Sequence, residues 1–122
     1  MTNEIISITK LENTLIHSAV YELLTDRLNH INDYIVLYKV ITNDGLCYLT
    51  DNGYTLNELK RRGMKMSVKT IDRIDQLVAD HYVYICIWKD SLYTGFCSED
   101  DFDDEVAGLL DAIEALYKEF LG

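Results

Sequence analysis

The run Tyr34-Ile35-Val36-Leu37-Tyr38-Lys39-Val40-Ile41, followed by Asp44-Gly45 and then Leu46-Cys47-Tyr48-Leu49-Thr50, decides the fold class. Both arms are rich in β-branched and aromatic residues, which suit a pleated, packed surface. The Asp-Gly pair between them is a strong hairpin signal and predicts a two-residue type I′ turn. With that turn, Ile41 faces Tyr48 and Val40 lies beside Leu49. Apolar residues occupy both faces of Tyr34–Ile41, so this strand is expected to be central or covered on both sides.

Downstream, Asp51-Asn52-Gly53 marks a second turn. Thr55 and Glu58 have capping-box spacing and open a short helix through Arg62, closed by Gly63. Ser67 is placed to cap a further helix, with Val68, Ile71, Ile74, Leu77 and Val78 on its inner face. Tyr82 to Lys89 has strand character, Asp90-Ser91 suggests a tight turn, and Leu92 to Cys97 a return strand. Gly95 inside it marks a bulge or a close backbone approach. Phe102, Val106, Leu109, Leu110, Ile113, Tyr117 and Phe120 form an apolar stripe along a terminal helix. Upstream, Thr9 and Glu12 again have capping-box spacing. Leu11, Leu15, Ile16, Ala19, Val20, Leu23 and Leu24 follow at helical spacing, which predicts a first helix fading between Asp26 and His30.

The expected order is therefore α-β-β-α-α-β-β-α. It describes one α+β domain over residues 1–122: a single antiparallel four-stranded sheet of two hairpins, with helices packed on it. The length of 122 residues suits one domain that needs no staples. The hydrophobic share of 48% and charged share of 26% exclude a disordered chain. Cys47, Cys86 and Cys97 are odd in number and widely spaced, which favours free thiols over a disulfide framework or a zinc site. Met1 to Glu4 lacks the basic start of a signal peptide, and no apolar run reaches membrane-spanning length, so a cytoplasmic location is expected.

The net charge is -10, from 21 acidic and 11 basic residues. That balance repels nucleic acid and anionic membrane and attracts basic surfaces. Between Glu99 and Gly122 there are nine acidic residues and one lysine. Glu99, Asp100, Asp101, Asp103, Asp104 and Glu105 crowd the start of the terminal helix. The plain explanation is a solvated helix start matched to the helix dipole. The sharper one is a rigid, phosphate-mimicking surface that docks into a basic groove. Six of the eleven basic residues, Lys60, Arg61, Arg62, Lys65, Lys69 and Arg73, fall in one run, either a solvated face or a surface for a second copy. Tyr82, Tyr84, Cys86 and Trp88 alternate onto one strand face, where the two tyrosines and the tryptophan are candidate partner contacts. Asp51, Glu58 and Lys60 loosely match the acid…Glu-x-Lys pattern of metal-dependent nucleases. Glu58 and Lys60 nevertheless belong to a helix, whereas that chemistry needs carboxylates on a strand edge. His17, His30 and His81 are scattered, and no glycine-rich phosphate loop is present.

Asn32-Asp33-Tyr34-Ile35, Leu49-Thr50-Asp51-Asn52-Gly53-Tyr54-Thr55-Leu56-Asn57-Glu58-Leu59, Asp90-Ser91-Leu92-Tyr93 and Leu109-Leu110-Asp111-Ala112-Ile113 together carry a resemblance. The string resembles the bacterial domain-of-unknown-function family numbered 1828, over Asp33 to Phe120. The Leu-Thr-Asp-x-Gly-Tyr-Thr stretch is its most specific part. The resemblance implies a setting in Gram-positive bacteria and their prophages; longer members carry a second domain.

These observations lead to an expectation of a non-enzymatic, cofactor-free protein of phage type, acting in the host bacterial cytoplasm. Its expected partner is a host nucleic-acid-binding protein or defence nuclease, inhibited by occlusion as an anti-CRISPR protein would inhibit it. Direct nucleic-acid and membrane binding are not expected. The alternatives are a homodimeric adaptor working through the aromatic hairpin and, third, a metal-dependent nuclease.

Overall fold

A computed structural model of the protein describes residues 4–11, 19–97 and 102–122. The order is β1 (Ile5–Lys10), β2 (Ala19–Leu28), β3 (Tyr34–Ile41), β4 (Cys47–Thr50), α1 (Tyr54–Arg61), α2 (Val68–Ala79), β5 (Val83–Cys86), β6 (Ser91–Thr94) and α3 (Phe102–Leu121). The six strands form one antiparallel sheet in the order β1-β2-β3-β4-β6-β5. The α+β class is as expected, but the sheet has six strands where four were expected.

The two extra strands replace the expected first helix. Thr9 lies within β1, pairing with Glu22, so it caps nothing; Glu12, its expected partner, lies outside the described residues. Ala19 and Leu23 are four apart, a spacing that fits a helix but is also two steps of strand alternation. In β2, Ala19, Leu23 and Thr25 are buried on one side. Pairing with β1 and β3 on both edges decides in favour of the strand. Thr25 Oγ1 donates to the Ile35 carbonyl at 2.7 Å, which satisfies a fully buried hydroxyl.

The first hairpin forms, but one residue out of the expected register. Val40 pairs with Tyr48 and Ile41 with Cys47. The connection is Asn43-Asp44-Gly45, closed by Thr42 N–H to the Leu46 carbonyl at 2.8 Å. Gly45 sits at φ +85, the left-handed residue that a three-residue loop requires. Thr42 stabilises this longer loop: its hydroxyl donates to Asp44 Oδ1 at 2.6 Å and accepts from Leu46 N–H at 3.2 Å. The shift puts Tyr48 on the face of Val40 and Tyr38 instead of that of Ile41.

All three helices pack on one face. Leu23, Ile35, Leu37, Leu49, Val83 and Leu92 from the sheet meet Leu56 and Leu59 of α1 and Ile74 and Val78 of α2. Val106, Leu109, Leu110, Ile113, Leu116 and Tyr117 of α3 complete the core. Of the inner face expected for α2, Ile74 and Val78 are buried whereas Val68 is 76% exposed. Ser67 caps that helix as expected, its Oγ accepting from Thr70 N–H at 3.2 Å. Gly108 lets α3 approach the turn before β5; a Cβ there would come within 3.1 Å of the His81 carbonyl.

The strand expected over Tyr82 to Lys89 is only Val83–Cys86. Tyr82 precedes it at φ +58, and residues 87–90 form the turn, with Asp90 at φ +50. Ile87, in that turn, is exposed, and Gly95 lies just beyond β6 under the Tyr84 ring.

β4 and β6 pair at Thr50↔Tyr93, Asp51 N–H reaches the Leu92 carbonyl at 3.3 Å, Cys47 and Cys97 exchange two backbone bonds just past β6, and side chains reinforce this short, interrupted ladder. Thr50 Oγ1 donates to the Leu92 carbonyl at 2.7 Å, and Thr94 Oγ1 accepts from Leu49 N–H at 3.0 Å. Asp51, 2% exposed, accepts from Gly53 and Leu92 N–H with Oδ1 and from Thr55 N–H with Oδ2, each at 3.0 Å. Asp51, not Thr55, therefore caps α1. The expected capping box is absent because Gly53, at φ +86, turns the first helical amides toward a carboxylate two residues upstream. Gly63 ends α1 at φ +105, with Met64 N–H returning to the Leu59 carbonyl.

Asp51→Ala would strand three amide donors and is expected to lower the unfolding free energy by about 3 kcal/mol or more. Asp51→Asn, retaining one acceptor oxygen, is expected to lose roughly half as much. Urea denaturation of both variants checks this, and a loss below ~1 kcal/mol in Asp51→Ala contradicts it.

Candidate functional site

Strand alternation leaves the second face of the sheet uncovered by any described helix. Facing pairs place Tyr38, Thr50, Tyr93 and Tyr84 in one row, with Val20, Val40 and Tyr48 in the next. The rings touch: Tyr48 meets Phe96 edge-on with centroids 5.6 Å apart, and Tyr93 lies 6.4 Å from both Tyr48 and Tyr84. Tyr84 and Phe96 are exposed, and a shallow depression of about 740 Å³ runs over this surface.

Of the three aromatic residues expected on one strand face, only Tyr84 lies in β5. Tyr82 sits before the strand at 80% exposure and Trp88 at the tip of the turn at 96%. The aromatic surface is instead built by Tyr38, Tyr48, Tyr93 and Phe96 together with Tyr84. Tyr48 was hidden by the hairpin register. Tyr38 was hidden by a strand whose faces are both apolar.

In the acidic group, Asp103, Asp104 and Glu105 form the first turn of α3, with Asp104 exposed and the other two half-buried. Glu99, Asp100 and Asp101 lie outside the described residues. Lys39 reaches this helix start, its Nζ 4.4 Å from the Phe102 ring centroid. The basic run is largely engaged elsewhere: Lys60 bonds Asp90 at 2.5 Å, Arg61 and Arg62 bond Glu58, and Arg73 bonds Glu119 through two nitrogens at 3.1 Å.

Asp51, Glu58 and Lys60 do not converge on a metal position. Asp51 holds backbone amides, Lys60 turns to Asp90, and Glu58, 3% exposed, is ringed by Arg61, Arg62 and His30. Among the described residues no group of three or more His, Cys, Asp or Glu is placed to hold a metal ion. Arg62, with His30 and Arg61 after it, outweighs burial and holds the Glu58 carboxyl at about 2, from 4.5. His30 Nε2 lies 3.1 Å from Glu58 Oε1, and its ring lies 4.5 Å from that of Tyr117. Cys47 and Cys97, distant in sequence, face each other as free thiols with sulfurs 3.6 Å apart. No helix among the described residues is long and apolar enough to cross a membrane.

Because its folded pKa is depressed, Glu58 stabilises the fold fully above about 4.5 and loses that contribution as pH falls toward about 2. Glu119, lowered by Arg73, acts in the same direction. The stability gap between wild type and Glu58→Gln, measured by urea midpoints, is expected to close over that acid range. A gap constant from neutral pH to pH ~2 would show that the charge of Glu58 is immaterial.

No curated protein and no solved structure matches the chain. A family model described as Domain of unknown function DUF1828 matches residues 25–115, a span running from within β2 into α3 and holding both the aromatic surface and the Glu58 cluster. The chain belongs to that family.

Proposed function

We propose that this domain is a non-enzymatic binding module whose partner is a protein with a basic, nucleic-acid-binding surface, and that it acts by covering that surface. The observation that carries the reading is the sheet face that no described helix covers, bearing Tyr38, Tyr48, Tyr84, Tyr93 and Phe96 in a chain of net charge -10. Tyrosine supplies large contact area with little side-chain entropy to lose, and excess carboxylate selects and steers a cationic partner. Asp103, Asp104 and Glu105, on a rigid helix start, supply fixed negative charge. Tyr82 and Trp88, exposed beside β5, extend the contact. The most concrete form of the proposal is a stoichiometric inhibitor of a nucleic-acid-dependent defence nuclease, such as an anti-CRISPR protein in the host cytoplasm. Groups that hold phosphates would then be occupied by carboxylates.

A second reading has its own support. β1 and β5 are the sheet edges, and β5 carries Tyr84 beside Tyr82 and Trp88. Two copies pairing there would make the homodimeric adaptor.

Calorimetric titration against purified nucleic-acid-guided nucleases tests the first reading. Affinity is expected to fall about tenfold or more from low to physiological salt. Asp103/Asp104/Glu105→Lys should weaken binding further, and Tyr84→Ala or Tyr93→Ala should each lose about 1–2 kcal/mol. Affinity unaffected by salt and by the charge reversals would reject the proposal. A concentration-independent dimer in sedimentation, broken by Tyr84→Ala, would favour the adaptor.

A further inference from the structure

Cys47 and Cys97 are partners across the sheet, 50 positions apart in sequence. Cys47 N–H donates to the Cys97 carbonyl at 3.2 Å, and Cys97 N–H donates to the Cys47 carbonyl at 2.9 Å. Antiparallel residues that exchange both bonds hold their Cα atoms about 5.5 Å apart, inside the window of about 4.4–6.8 Å that a disulfide spans. The two Sγ atoms already lie 3.6 Å apart. A bond of about 2.05 Å asks them to close by roughly 1.5 Å, a distance that side-chain rotation covers.

The pair occupies a position where a covalent tie has consequences. β4 and β6 pair inside their strands at Thr50↔Tyr93, and Cys47↔Cys97 is the far end of that interrupted ladder. Tyr48 and Phe96, their neighbours in the chain, meet edge-on with centroids 5.6 Å apart. By strand alternation those rings take the opposite face, so the thiols sit directly behind the aromatic contact. The two cysteines differ in access. Cys47 is 1% exposed and its thiol donates to the Cys97 carbonyl at 3.3 Å, whereas Cys97 is half-buried. Cys86 lines the aromatic depression and stands apart from the pair.

We infer that Cys47 and Cys97 form a reversible dithiol site for low-molecular-weight disulfides, and that its closure locks the chain leaving β6 onto β4. Cys97, the accessible member, attacks as its thiolate. The S–S bond of the small disulfide breaks, one half bonds to Cys97, and the other leaves and takes up the proton that Cys97 lost. The Cys47 sulfur then attacks that of Cys97, and the second half leaves with the Cys47 proton. Two protein thiols are thereby oxidised to one disulfide, and the small disulfide is reduced to two thiols. Excess thiol reverses both steps, so closure follows the balance of disulfide over thiol around the protein. The inference stands apart from the partner proposal, because each readout concerns this protein alone.

The test is incubation of the native, whole protein with glutathione disulfide, followed by alkylation of the remaining thiols, intact-mass measurement and peptide mapping. The reduced chain takes three alkyl groups, one per cysteine. The treated chain is expected to yield a peptide joining Cys47 to Cys97, with Cys86 alone left to carry an alkyl group or a glutathione. Reduced glutathione in excess should restore all three thiols. The closed protein should unfold about 5 °C or more above the reduced one, because the bond constrains a long loop of the unfolded chain. That comparison lies within one sequence, so no folding defect enters it. Cys47→Ser should trap the first step as a lasting glutathione adduct on Cys97. In Cys97→Ser, Cys47 should react at least about tenfold more slowly than Cys97 does in Cys47→Ser. Persistence of three alkylated thiols, separate glutathione adducts on Cys47 and Cys97, a bond to Cys86, equal reactivity in the two variants, or no rise in unfolding temperature on closure would overturn the inference.

Discussion

Asp51 carries a carboxylate into a position 2% exposed to solvent, and three backbone amides receive it there. Those amides belong to the turn after β4, the first turn of α1 and the start of β6. One side chain thus fixes where the chain leaves the sheet and where it later returns. This matters because the β4–β6 ladder is short and interrupted, with one register pair inside the strands and the Cys47↔Cys97 bridge beyond β6. The side chains of Thr50, Asp51 and Thr94 reinforce that ladder where it is interrupted. Charge-assisted bonds to amides are about twice as strong as neutral ones, which lets so few contacts set a sheet order that is not sequential.

The same junction creates a cleft of about 580 Å³ between β3 and α1. Because the chain is drawn from β4 toward α1 at Asp51, it cannot continue alongside Ile35 and Tyr34, and β3 loses its neighbour on that side. The opening is then lined by the turn residues themselves, and α3 contributes Ile113 and Tyr117. Glu58, one turn into α1, gathers His30, Arg61 and Arg62 beside this opening and fixes the segment between β2 and β3 to the helix.

Elements whose signals are local were legible in the sequence. β3, α2 with its Ser67 cap, the Gly63 stop and the apolar stripe of α3 all depend on residues within a few positions of one another. The first two strands were not legible, because spacings of four satisfy both a helix and a strand, and pairing across the sheet decides between them. The hairpin register was missed because the Thr42 hydroxyl, bonded to both Asp44 and Leu46, favours a three-residue loop over the two-residue turn that Asp-Gly usually makes. That single residue of register moved Tyr48 onto the open face. Of the aromatic surface, Tyr84 was visible from alternation within β5, whereas Tyr38, Tyr48 and Tyr93 become neighbours only through pairing. The Cys47–Cys97 contact and the Glu58 cluster likewise join residues 50 and 28 positions apart.

Net charge alone understates how one-signed the surface is. At least five of the eleven basic residues, Arg27, Lys60, Arg61, Arg62 and Arg73, are bound by carboxylates of the same chain. Six carboxylates, Glu4, Glu58, Asp90, Asp111, Glu114 and Glu119, bind these five, and the net value stays at -10. The ratio of acidic to basic groups among the unpaired ones therefore rises. The aromatic depression is lined by Tyr38, Tyr48, Tyr84, Tyr93 and Phe96 with Lys89 as its charged residue, whereas the adjoining cleft sets Glu22, Asp33, Asp51 and Glu58 beside tyrosine rings. The aromatic face therefore attracts through its flat rings, and the local negative charge that favours a cation belongs to the cleft beside it. Tyr38 and Asn52 border both, so a partner seated on the rings lies beside the acidic cleft.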